Sequence, residues 1–435
     1  MSAVRRGRLT AAVAGLVAVV LSFGAAPAVA APGPPSAPEW WFDSWNVPGL
    51  WAEGANGQGI TIAEIDTGVQ ASRPELAGKI LPGADFIGNG TDGRTDFDSD
   101  DFSHGTAMAS IMVARAGFGN IEGLAPSAQI LPIAIPLQGV IRHGTPPNNA
   151  TSSAIDYAVA HGAKIISMSL GGVRDESQDG PDPCPGGVQK SVLNAVRKGV
   201  LVVAASGNSG DANSPVEEPG VCLGVVSVGA VDRNLNVTSF SSRHPYLTLS
   251  APGDQIPTLS RDSAYIGGGT SQATAMTSAA LALVWSKYPS ETARQVLTRM
   301  LETATDRGPK GRDPAYGAGV INPAAAIAAP VPAATAANEV FDGVAPLLGT
   351  SSGGSKRPKQ VAAAGASAPD LGPYRVGSGA GRVPRTVLIL LALAAACLLV
   401  AMVAMILSWR RTEPGRPAVT SGPTVPTGPP PGWAN

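Results

Sequence analysis

Short, wholly apolar runs alternate with stretches of helical period along most of this chain. Residues 60–65, 130–135, 164–169, 200–205 and 225–231 are rich in Val, Ile and Ala, and most carry apolar residues at successive positions rather than every second one. Between and after them, 103–113, 150–161, 192–198 and 290–303 space their apolar residues as helices do, with Ser290 the expected cap of the last. Strands apolar on both faces, separated by helices, predict an α/β domain with a mainly parallel central sheet and helices on both faces. The pattern runs from 59 to about 329 and contains no internal repeat.

Outside that domain the character of the sequence changes. Residues 31–58 form a Pro- and Trp-rich extension in which 39–51 hold four of the seven tryptophans. Such a segment is too apolar for a solvated arm and is expected to brace the domain. Residues 330–386 are rich in Ala, Gly, Ser and Pro, as a mobile linker is, with a short packed piece expected near 340–348. At the start, Arg5, Arg6 and Arg8 precede an apolar stretch at 11–23, and Ala28-Val29-Ala30 fits a small-x-small cleavage site. Residues 1–30 therefore read as a secretory signal, the alternative being an uncleaved anchor.

Residues 387–409 form an uncharged apolar run of 23 residues. As a helix it would span roughly 34 Å, enough for a bilayer core. Arg410 and Arg411 follow directly and assign the tail, 410–435, to the cytoplasmic side. Arg382 and Arg385 weaken that bias, but removal of the signal also leaves 31–386 outside. The expectation is a single-pass type I membrane protein with an extracytoplasmic domain.

Composition narrows the picture further. Charged residues are 14% of the chain and the net charge is −1, so nothing basic argues for nucleic acid. Of three cysteines, Cys397 lies in the apolar run, while Cys184 and Cys222 lie where a disulfide persists. Bridging those two would contribute ~4 kcal/mol by chain entropy; two free thiols are the alternative.

Candidate chemistry sits at the ends of the predicted strands, where open parallel sheets gather their sites. Asp66 ends the first strand, Ser169 the middle one, and Asn208 follows the 200–205 strand. His104 opens one helix, and Ser271 lies in the glycine turn GGGTSQATAM that opens another. A serine hydroxyl needs an imidazole to take its proton, and the imidazole needs a carboxylate to fix its tautomer. A tetrahedral oxyanion needs a donor, which an asparagine supplies. Each residue also has an ordinary reading: Thr270 or Ser271 as a helix cap, Asp66 and Asn208 in turns, His104 as a cap.

Together the strings are more specific. Asp66-Thr67-Gly68, His104-Gly105-Thr106 and Gly269-Thr270-Ser271-Gln272-Ala273 resemble, in order, the three motifs of the subtilisin-like serine proteases, the subtilases. Ser206-Gly207-Asn208 is similar to their oxyanion segment, and Ser169, Leu170, Gly171 and Gly172 to the strand and turn lining their substrate cleft. The resemblance covers about 50–329 and implies a subtilisin-like fold, protein or peptide substrates and no required cofactor. It implies Ser271 as nucleophile, His104 as general base, Asp66 as its orienter and Asn208 as oxyanion donor. The signal, the Trp-bearing lead, the Cys184/Cys222 pair, the linker and the single span further resemble the mycosins, membrane-anchored subtilases of type VII secretion.

Three features depart from the pattern. Ala275 stands where the family usually has proline, so a less rigid helix entrance is expected. Mycosins often carry a second disulfide near the histidine loop, and only one pair is available here. The lead is also too short for the folded propeptide of many secreted subtilases. The acidic run Asp92, Asp96, Asp98, Asp100 and Asp101 reads as a solvated loop or as a calcium site. His143, His161 and His244 have no partner strings. Two other functions stand beside the endopeptidase: a protease-like scaffold for a secretion complex, and an α/β-hydrolase esterase. The second is disfavoured, since that fold wants a Gly-x-Ser-x-Gly elbow with acid and histidine after it.

Overall fold

Every strand predicted from the apolar runs forms, and the five join two more in one sheet. These are β1 (Thr61–Asp66), β2 (Ala84–Asp85), β3 (Gln129–Ala134), β4 (Ile165–Met168), β6 (Leu201–Ala205), β8 (Val225–Val231) and β9 (Leu249–Pro252). Their order is β2-β3-β1-β4-β6-β8-β9, and every pairing is parallel. The structure is a computed structural model, and it describes residues 39–137, 149–173, 184, 186–211 and 213–349. The expected signal at 1–30, the 387–409 run, the 410–435 tail and His143 lie outside the described residues. Among the described residues no helix is long and apolar enough to cross a membrane.

The sheet explains the continuous apolar runs. Ile62, Ile165, Leu201 and Val203 join the core on one face, while Ala63, Ile65, Ile166, Val202 and Ala204 join the core on the other. Helices α3 (His104–Val113) and α6 (Thr270–Lys287) supply Met108, Met276 and Leu281 to the first. Helices α4 (Ala150–Ala160) and α5 (Gly186–Arg197) supply Ile155 and Val192 to the second. Helix α6 is buried on all sides from Thr270 to Trp285, and its Ser278 hydroxyl meets Ser167 of the sheet at 2.9 Å.

Several boundaries differ from expectation. Helix α5 begins at Gly186, not near 192. The cap of α7 (Ala293–Glu302) is Thr292, not Ser290, because Thr292 and Gln295 exchange hydrogen bonds in a capping box. Between β9 and α6 lies a hairpin, β10 (Ile256–Leu259) with β11 (Ala264–Gly267), that delivers the chain to Ser271. The packed body also extends beyond 329. After α8 (Pro323–Ala328), the chain lies along α7, with Gln295 donating to the Pro332 carbonyl and Asn338 to the Thr298 hydroxyl. It closes with α9 (Glu339–Val344), whose Val340 and Val344 are buried. Cys184 and Cys222 form a disulfide with Cα atoms 5.0 Å apart.

The tryptophan-rich lead folds into α1 (Trp40–Ser44) and α2 (Val47–Ala52) and braces the domain, with Trp41, Phe42, Trp45 and Leu50 buried. Its contacts locate it. The Trp51 indole donates to the Leu124 carbonyl, Gly57 N–H to the Ser286 hydroxyl, and Lys287 to the Glu53 carbonyl. Those α6 residues are about 15 positions from Ser271, or roughly 22 Å along a helix. The brace therefore holds the end of α6 remote from the cleft.

Candidate active site

The site is assembled where β1, β4 and β6 end and α3 and α6 begin. Asp66 is the last residue of β1 and is buried. Its carboxylate accepts from Thr67 N–H at 2.8 Å and faces His104, whose Nδ1 lies 2.8 and 3.0 Å from its two oxygens. This contact fixes Nδ1 as the protonated nitrogen and leaves Nε2 free for chemistry. Burial alone would push the imidazole pKa down, but the charge and hydrogen bond of Asp66, helped by Asp98 and Asp96, hold it above the ordinary range.

The local sequence dictates this meeting of strand end and helix start. A Cβ on Gly105 would stand 2.1 Å from the Gly68 carbonyl oxygen, so the helix approaches the β1 turn only with glycine there. Gly68 itself has φ +99° and presses on the Thr95 carbonyl. Asp96 holds the two motifs together. It accepts from the Thr67 hydroxyl at 2.8 Å and from the Thr106 N–H and hydroxyl at 2.8 and 2.6 Å. Asp98 accepts from His104 N–H at 2.9 Å, capping α3 in place of Ser103, whose φ is +53°. The acidic run is thus not simply a solvated loop, since Asp96 is buried. Among the described residues no group of three or more His, Cys, Asp or Glu is arranged to hold a metal ion.

Ser271 lies in the first turn of α6, whose N-cap, Gly269, provides no side-chain cap. Its hydroxyl donates to the Ser169 carbonyl at 2.8 Å, and the Ser169 hydroxyl returns a bond to the Ser271 carbonyl at 3.0 Å. In this resting geometry the serine hydroxyl is directed to Ser169 and not to His104. Asn208 sits opposite, its Oδ1 accepting from the Thr270 N–H at 2.8 Å and the Thr270 hydroxyl at 3.0 Å. Among the described residues its NH2 group has no partner, and Asn208 shares a cavity with Ser271. His104, Ser271 and Asn208 line one cavity of about 250 Å³, walled also by Phe102 and Gln272. Leu170, Gly171 and Gly172 line a different cavity, of about 180 Å³, with Leu137 and Pro219.

The sequence pattern of the Subtilase family matches residues 57–319. This chain belongs to the subtilases. It is 33% identical to Subtilisin DY of Bacillus licheniformis over 278 residues, which cover 63% of this chain and 93% of that one. It is 36% identical to Thermitase of Thermoactinomyces vulgaris over 222 residues, covering 51% and 72% respectively. Among solved structures it is similar to MycP1, a serine protease of the type VII (ESX-1) secretion system: 29% identity, TM-score 0.58, covering 69% of this chain and 91% of that one. MycP3 of the ESX-3 system gives 28% identity and TM-score 0.58, covering 68% and 90%. Like its relatives, this subtilase is a serine endopeptidase.

Ala275 does not interrupt this subtilase's α6, which runs without a break from Thr270 and buries Ala275 completely. His161 stacks on Tyr157 with ring centroids 3.7 Å apart, and His244 stacks on Tyr246 at 4.4 Å, so neither reaches the site. Sequence reasoning missed Asp96, Asp98 and Phe102 as parts of the site. Asp96 carries no local signal, since its partners Thr67 and Thr106 lie 29 and 10 residues away along the chain.

Proposed function

We propose that this subtilase hydrolyses peptide bonds through Ser271, His104 and Asp66, in a domain held outside the cell membrane. The carrying observation is the Asp66–His104 pair at 2.8 Å opening onto the cavity that Ser271 and Asn208 share. A substrate carbonyl entering that cavity draws the Ser271 hydroxyl from Ser169 toward His104 Nε2, and catalytic hydrogen bonds of this kind commonly tighten only once substrate is bound. His104 takes the hydroxyl proton while Oγ bonds to the carbonyl carbon. The oxyanion is met by the Asn208 NH2 group and by the Ser271 N–H, one of the first-turn donors without an intrahelical partner. Asp66 stabilises the imidazolium, which then protonates the leaving amine. Water repeats the sequence on the acyl-enzyme.

Membrane anchoring rests on the sequence: the signal at 1–30, the apolar run at 387–409 and Arg410-Arg411 behind it. A role in type VII secretion is supported by the likeness to MycP1 and MycP3 and by the anchored architecture. The scaffold reading is favoured by one observation, the Ser271 hydroxyl engaged by Ser169. Two measurements test the proposal. Peptide hydrolysis by the detergent-solubilised chain should be abolished by Ser271→Ala, and hydrolysis that survives the substitution would contradict it. The chain should fractionate with membranes and lose that property when 387–409 is deleted; unchanged fractionation would contradict the anchor.

A further inference from the structure

Two chain segments flank Ser271, and they leave neighbouring strands. Residues 169–172 follow β4 and 206–208 follow β6, which pair in parallel. Ser271 is bound to the first segment through the Ser169 carbonyl, and Asn208 of the second binds the Thr270 N–H. The gap between these two segments adjoins the point where a carbonyl carbon over Ser271, with its oxygen toward Asn208, would lie.

That gap is occupied. Glu217 begins β7 (Glu217–Glu218), which pairs antiparallel with β5 (Gly172–Val173). Its carboxyl lies against both walls: a Cβ on Gly207 would stand 2.0 Å from Oε1, and one on Gly171 would stand 3.1 Å from Oε2. Both walls are glycine at the points where the carboxyl packs. The residue is only 5% exposed, and Oε1 accepts from the Ser242 hydroxyl at 3.2 Å. The Glu217 N–H donates to the Tyr246 hydroxyl at 3.2 Å, which fixes the backbone beneath. Burial raises the carboxyl pKa against the hydrogen bonds of Ser209 and Ser242, which does not favour a standing negative charge for a cation to meet. Neither the 250 Å³ cavity at Ser271 nor the 180 Å³ cavity at Leu170 is lined by Glu217.

Resting on the protease reading above, we propose that Glu217 is the floor of the pocket for the acyl-side residue and restricts it to small side chains such as those of Gly, Ala and Ser. A larger group must displace a packed, hydrogen-bonded carboxyl, and overpacking of this kind disfavours binding by roughly 10- to 100-fold.

The test compares labelling rates of Ser271 in the solubilised full chain. The probes are peptidyl diphenyl phosphonates whose acyl-side residue carries a methyl, benzyl or aminobutyl group, and an alkyl fluorophosphonate with no such group. In each, Ser271 Oγ bonds to phosphorus, phenoxide or fluoride leaves with the P–O or P–F electron pair, and the hydroxyl proton passes to His104. The methyl probe should react about tenfold or more faster than the other two. Glu217→Gln, equal in size but uncharged, should keep that order, and Glu217→Gly should erase it. Fluorophosphonate labelling reports whether each variant retains an assembled site; should Glu217→Gly lose it, Glu217→Ser serves in its place. A benzyl probe as fast as the methyl probe in the wild type overturns the proposal. So does an aminobutyl probe that is fastest in the wild type and slow in Glu217→Gln, which would mean recognition by charge. Failure of the fluorophosphonate itself removes the protease reading and this inference with it, whereas its success without discrimination among peptides removes only the inference.

Discussion

His104 experiences opposed influences, and their balance sets when the site works. Desolvation disfavours the imidazolium, while Asp66, Asp98 and Asp96 favour it and prevail, so the pKa is raised. In the proposed mechanism His104 is the general base and must be neutral, so activity is lost as pH falls through that pKa. The acidic limb of kcat/KM should therefore lie above the ordinary histidine value of about 6.5. Asp66→Asn removes both the charge and the tautomer control, which should move the limb downward and reduce kcat by ~10⁴-fold. A pH–rate profile of both proteins measures this, and a limb that stays in place in Asp66→Asn would contradict it. Asp96 shows why parts of the site were not legible in the sequence. Its neighbours along the chain are acidic, and its partners Thr67 and Thr106 lie 29 and 10 residues away. Asp66, His104, Asn208 and Ser271 were legible because each sits in a short string whose glycines and threonines are required by close backbone approach, as Gly105 against Gly68 illustrates.

Among the elements, β1 carries the least expected residue. Glu64 faces the interior, 1% exposed, and among the described residues neither of its carboxyl oxygens meets a hydrogen-bond partner at normal geometry. Burial, followed by the charges of Asp66 and Asp96, raises its pKa well above the usual carboxylate range. The folded chain thus keeps a proton that the unfolded chain releases near pH 4.3. Glu64 consequently makes stability fall as pH rises from that value toward the folded pKa, by up to about 1.4 kcal/mol per pH unit. Glu64→Gln should flatten the decline of Tm as pH rises above about 4.3, and parallel Tm curves for the two proteins would contradict this. The strands themselves were readable because both faces of the sheet are covered. The period of α6 was not fully readable, since a helix buried all round has no polar face to mark its turns. β9 was missed because its sequence, LSAP, carries little β signal, and its place depends on pairing with β8.

For the molecule as a whole, stability and chemistry are separated along α6. Its first turn presents Ser271, and its last turn is held by the aromatic lead through Ser286 and Lys287. Deleting 39–52 should lower Tm by several degrees, because Trp41, Phe42, Trp45 and Leu50 lose their burial. Below the transition it should leave the reactivity of Ser271 unchanged. A thermal melt beside a labelling rate distinguishes these effects, and a marked rise in rate on deletion would mean that the lead covers the cleft.

The central claim is that Ser271, His104 and Asp66 act as one nucleophilic unit. The most direct measurement is fluorophosphonate labelling of the full chain, followed by peptide mapping of the adduct, beside Ser271→Ala and His104→Ala. The account predicts one adduct, on Ser271, absent from Ser271→Ala and slowed by several orders of magnitude in His104→Ala. A folded wild-type chain with the Cys184–Cys222 bond intact and no adduct on Ser271 would contradict it, and the domain would then be a protease-like scaffold.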